Sequence, residues 1–87
     1  MEENKITEAD IETFLENNHF CMEEGYVAQE GNGKWFWYEG QPRPEEKNWT
    51  WYSLNPNYLI LEVFHIKREK DWTKTLYRVT PEGWEKL

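Results

Sequence analysis

The sequence predicts an α+β fold: an N-terminal helix packed on a mainly antiparallel, meander-like sheet of about five strands, with a short C-terminal helix. Three observations carry this expectation. A capped apolar stripe at helical spacing opens the chain. Aromatic segments with strand-like alternation follow, separated by Gly, Asn and Pro. A Thr-Pro step near the end matches the start of a helix.

The helix is expected over residues 7–17. Thr7 is the N-cap, and Asp10 stands three residues on, in the position of a capping box. Ile6 and Ile11 flank the cap as a hydrophobic staple. Ile11, Phe14 and Leu15 form a narrow apolar stripe, and Asn17-Asn18 supplies the stop.

Strand signals follow. Residues 20–30 read as a strand with a bulge near Gly25, and Gly31-Asn32-Gly33 reads as a hairpin turn. Residues 34–38 are a strand by aromatic content. Residues 40–47, which hold Pro42 and Pro44, read as a loop where regular pairing is hard. Residues 49–52 form the next strand, and Asn55-Pro56-Asn57 turns the chain. Pro56 would also suit the first position of a helix. Apolar side chains, however, cover every side of the helical wheel from Leu59 to Phe64, whereas alternation puts Ile60, Phe64 and Ile66 on one face. Residues 58–68 are therefore read as a strand, and residues 72–79 as its return. Thr80-Pro81-Glu82-Gly83-Trp84 begins the terminal helix.

The 87 residues fit one domain, 1–87, whose small size demands a core dense in large side chains. Six Trp, five Tyr and four Phe meet that demand. Cys21 is the sole cysteine, so no internal disulfide can form. The first five residues carry acids and no apolar run, and the mainly apolar stretch 58–66 is interrupted by Glu62 and His65. Neither a secretory signal nor a membrane span is expected, and the cytoplasm is the expected location.

Catalytic patterns are sparse. The sequence has no glycine-rich phosphate loop and no Cys/His cluster, so neither cofactor nor metal is expected. His19 and Cys21 would share a face of a strand, but no third group or oxyanion hole is evident to support them. Paired carboxylates for acid–base work need a deep cleft, which a chain of this size rarely holds beside its core. A non-enzymatic protein is expected.

Three surfaces compete as binding sites. The first is aromatic: Trp35 and Trp37 share one strand face, as do Trp49 and Trp51 on another strand. An exposed face of this kind would stack a peptide, a sugar or single-stranded nucleic acid. A homodimer partner or the segment around Trp84 would be an alternative cover. The second is the basic segment Lys67, Arg68, Lys70, Lys74 and Arg78. From Leu76 onward the chain resembles the last wing strand and following helix of winged-helix regulators, over roughly the last dozen residues. The upstream Trp-, Pro- and Gly-rich segment does not provide the helix-turn-helix pair, so no functional residue is carried over.

The third surface is acidic. Residues 1–33 carry −8 of charge, whereas residues 34–87 carry +1. Glu8, Glu12 and Glu16 lie four apart on one helix flank with no local lysine to offset them, and Glu23 and Glu24 extend the block. The net charge of −7 argues against direct nucleic-acid binding. The sequence thus points to a small acidic protein-binding module docking on a basic protein surface, such as that of a nucleic-acid-binding protein. An inhibitor or decoy of the immunity or phage anti-defence type fits this description. The alternative is a ligand-binding module using the Trp-rich sheet face.

Overall fold

A computed structural model of the chain describes residues 8–61 and 64–87. The fold is α+β: among the described residues there are one α-helix, a five-stranded antiparallel sheet and a separate two-stranded hairpin. The helix α1 spans Ile11–Asn18. The strands are β1 (Gly25–Gln29), β2 (Trp35–Tyr38), β3 (Arg43–Glu45), β4 (Thr50–Tyr52), β5 (Tyr58–Ile60), β6 (Tyr77–Thr80) and β7 (Gly83–Lys86).

The main sheet runs β5-β2-β1-β6-β7, so it is two hairpins joined edge to edge at β1 and β6, with β5 folded back on β2. The β3–β4 hairpin leaves this sheet, which is why the order is not a simple meander.

Period-2 alternation decides the two faces. Val27, Trp35, Trp37, Tyr77 and Val79 point to one side, where Ile11, Phe14 and Leu15 of α1 cover them. Tyr26, Ala28, Phe36 and Tyr38 point to the other, where Trp51 of β4 and Trp72 pack. Both faces of the central strands are covered, so a chain rich in large aromatics buries them in two layers rather than displaying one.

Asp10, the residue before Ile11, caps α1: its Oδ1 accepts the Thr13 N–H at 2.8 Å. That bond holds the Asp10 carboxyl below its ordinary range. The helix therefore starts at Ile11 and not near Thr7, because Ala9 bridges Ile66 and Asp10 is itself the cap rather than the partner of one in a capping box; Thr7 and the staple residue Ile6 lie outside the described residues. The apolar stripe and the stop at Asn18 are as expected, and a 3-10 turn over His19–Cys21 carries the chain off the helix. Residues 20–24 are therefore not strand, and β1 begins at Gly25 without a bulge. A Cβ at Gly25 would stand 2.6 Å from the Tyr38 carbonyl oxygen, so the close approach of β2 requires glycine.

Four further segments depart from the sequence reading. Residues 40–47 contain strand β3, with Pro44 opposite Trp51, because an edge hairpin tolerates a residue without an N–H. Strand 58–68 stops at Ile60. Beyond it Leu61 and Ile66 are buried, whereas Ile60 and Phe64 are exposed, so the expected shared face does not exist. Ile66 instead forms an isolated parallel bridge with Ala9. Trp72–Lys74 is a 3-10 turn because Asp71 accepts the Thr73 N–H, and the strand starts at Tyr77.

The expected C-terminal helix is strand β7. Thr-Pro-Glu-Gly serves equally as a helix start and as a β-turn with Pro second and Gly fourth. Tertiary packing selects the turn, since β7 seats Trp84 against Tyr77, with the ring centroids 5.9 Å apart.

Candidate functional site

The acidic flank of α1 faces β6 and β7. Tyr77 donates its hydroxyl to Glu12 Oε2 at 3.3 Å, and Trp84 Nε1 donates to Glu16 Oε1 at 3.0 Å. Glu24 pairs with Arg78 at 2.9 Å. Glu8 is exposed but precedes the Asp10 cap, so it is not on α1, and the expected stripe of three helix acids is reduced to Glu12 and Glu16. Glu23 is exposed, and its backbone oxygen accepts the Trp37 indole N–H. The helix acids that lack a local lysine thus find donors across the fold. Tyr77 is pushed up in pKa by burial and then by the Glu12 carboxylate.

The expected aromatic platform is not on the surface. Trp35 and Trp37 are buried under α1, and Trp51 is buried beneath the hairpin, where its Nε1 donates to the Gln29 carbonyl at 2.7 Å. Trp49 is 62% exposed, but it sits in a turn at φ 60° rather than on the strand face of Trp51. A period-2 reading could not anticipate this, because it assumes extended backbone on both sides of Thr50.

Sequence reasoning passed over the surface at β5. This edge strand exposes Tyr58, Leu59 and Ile60 together. The N–H of Leu61 reaches the Trp35 carbonyl at 2.8 Å, and that of Glu39 reaches the Asn57 carbonyl at 3.1 Å. Antiparallel alternation then turns the N–H and C=O groups of Tyr58 and Ile60 away from the sheet, toward solvent. Beside the edge, Phe14, Trp37, Leu59, Leu61 and Phe64 line an apolar recess of about 310 Å³ with Met22. A second recess shares Trp37 and Leu59 with it and is lined also by Glu23, Glu39 and Tyr58. Glu23 belongs to both, and among the described residues no Lys, Arg or His lines either. The available signal was the run Tyr58-Leu59-Ile60-Leu61, which is too apolar for a half-solvated strand.

A third concavity, about 380 Å³, lies on the opposite side of the sheet, between β2, β5 and the β4 hairpin. Phe36, Tyr38 and Tyr58 form its aromatic floor. Glu30 lines it and accepts the Tyr38 hydroxyl at 3.2 Å. Burial pushes the Glu30 carboxyl up, against the opposing pull of its hydrogen bonds.

The His19–Cys21 pair sits in one 3-10 turn, where the Cys21 thiol donates to the Asn18 carbonyl and His19 Nδ1 lies 3.0 Å from the Pro81 carbonyl. The thiol and Nδ1 are thus each engaged with backbone rather than with one another. Among the described residues, no His, Cys, Asp or Glu cluster is placed to hold a metal, and no helix is long and apolar enough to cross a membrane. Compared with protein-family models, curated proteins and solved structures, the chain matches none.

Proposed function

We propose that this chain is a non-enzymatic protein-binding module that receives an extended, basic segment of its partner along β5. The observation that carries this reading is the β5 edge itself: three exposed apolar residues, outward-facing backbone groups, and an apolar recess beside them. A strand added there would satisfy the free N–H and C=O groups of Tyr58 and Ile60 and cover apolar surface at the same time. Alternate side chains of the incoming strand would enter the recess. Glu23 and Glu39 would meet its lysines or arginines, which gives the site its charge preference.

This places docking at the sheet edge opposite Glu12 and Glu16, whose carboxylates already accept hydrogen bonds from β6 and β7. Glu23 is common to this surface and to the acidic block read from the sequence. An inhibitor or decoy role is part of the proposal: a small acidic chain covering a basic strand of its target.

Selection from a displayed library of random peptides tests the reading. The expected winners alternate apolar residues with Lys or Arg. Their binding should fall at least about tenfold in Ile60→Pro, which removes one outward donor while leaving the inward ladder intact. Winners without basic residues, or equal binding to a folded Ile60→Pro protein, would contradict it.

A further inference from the structure

The cleft over Phe36, Tyr38 and Tyr58 is separate from the docking edge in chemistry, although Tyr58 borders both. The three rings sit with centroids 5.8–6.3 Å apart and interplanar angles of 32–54°, so they form a concave floor rather than a parallel stack. Tyr52, itself 55% exposed, lines the cleft from β4. The electron-rich faces of such rings attract cations.

Glu30 places its carboxyl group beside this floor. Its carboxylate is engaged by two neutral donors, the Tyr38 hydroxyl and the Trp51 backbone N–H. Among the described residues no cation pairs with it, and none of the residues lining the cleft is Lys, Arg or His. The cation–π contact found elsewhere, Lys86 over Tyr77, lies on β6 and β7. A partly desolvated carboxylate without a counter-charge, set against aromatic faces, is complementary to a positive charge carried on an apolar body. For a bare divalent ion the cleft offers one carboxylate, with only the neutral oxygens of Thr50, Tyr52, Ser53 and Asn55 beside it.

We propose that this cleft binds an alkylated ammonium group, with its methyl groups against Phe36, Tyr38 and Tyr58 and its charge toward Glu30. The site does not depend on the β5 edge reading, because its ligand needs no backbone pairing.

Choline and its uncharged carbon isostere, 3,3-dimethylbutan-1-ol, are the probes. Each is titrated into the full chain while the Trp51 indole N–H and the amides of residues 50–58 are followed by two-dimensional NMR. Choline is expected to produce saturable shifts confined to the cleft and to bind at least about tenfold tighter than the isostere. Glu30→Gln should remove most of that preference, and Tyr58→Leu should weaken choline while leaving the fold unchanged. Equal affinity for the two probes, or choline shifts that are unsaturable or spread away from the cleft, would overturn the proposal. The comparison on the wild-type chain decides the matter even if a variant fails to fold.

Discussion

The buried side chain of Gln29 pairs with the backbone of Glu69 as if it were another strand. The Glu69 N–H donates to Gln29 Oε1 at 2.6 Å, and Gln29 Nε2 donates to the Glu69 carbonyl at 3.1 Å. Gln29 is 1% exposed, and its backbone also takes hydrogen bonds from Trp51 Nε1 and gives one to Thr75 Oγ1. One residue thus ties β1 to the hairpin, to the segment after Ile66 and to the turn before β6. Gln29→Leu would leave the Glu69 N–H and carbonyl without partners, so a loss of about 2–4 kcal/mol is expected in urea unfolding. Gln29→Glu should also destabilise, because it removes the donor to Glu69 and introduces a charge.

Phe14 joins α1 to the chain after β5. It is buried, and its ring lies 5.1 Å from that of Phe64. Phe14→Ala is expected to destabilise by about 3–5 kcal/mol. A loss below about 1 kcal/mol would mean that the helix does not depend on this contact.

Tyr38 and Tyr77 give the fold a definite alkaline limit. Burial raises both phenols, and the nearby Glu30 and Glu12 carboxylates raise them further. A raised folded pKa means that the stabilisation is fully present below the ordinary phenol value of about 10 and is lost as pH climbs above it toward the folded value. Urea midpoints should therefore fall between about pH 10 and pH 12, and Tyr38→Phe should flatten that fall.

Glu16 and Trp84 form a solvent-exposed hydrogen bond between α1 and β7. Glu16→Gln keeps an acceptor and relieves like-charge repulsion along the helix, so stability should change by less than about 0.5 kcal/mol. Glu16→Ala should instead alter the Trp84 fluorescence, since the indole loses its acceptor. If docking lies at β5, replacing Glu8, Glu12 and Glu16 together by Gln should reduce partner affinity less than Ile60→Pro does.

The helix was legible because its signal is local: three apolar residues at helical spacing and an asparagine stop. The β1–β2 hairpin was legible for the same reason, since Gly33 takes φ 93° at the turn. The terminal strand was not, because Thr-Pro-Glu-Gly is chemically valid for two structures, and Trp84 decides between them by packing on Tyr77 across the hairpin and by its hydrogen bond to Glu16. The indoles were misplaced because alternation tells which residues share a face, but not what covers that face. Only the excursion of β3 and β4, which seats Trp51 over Ala28 and Tyr38, resolves it. The partners of Glu12 and Glu16 are about as distant, at 65 and 68 residues along the chain.

The central claim is that a basic strand adds to β5, and amide hydrogen exchange reads it at single residues. The amides of Tyr58 and Ile60 face outward in the free protein and should exchange quickly. With a saturating amount of a library-selected peptide, both should slow by at least about tenfold, while the amides of residues 12–16 are unaffected. Unchanged exchange at Tyr58 and Ile60 with the peptide bound, and protection appearing along α1 instead, would contradict the account and return the docking surface to Glu8, Glu12 and Glu16.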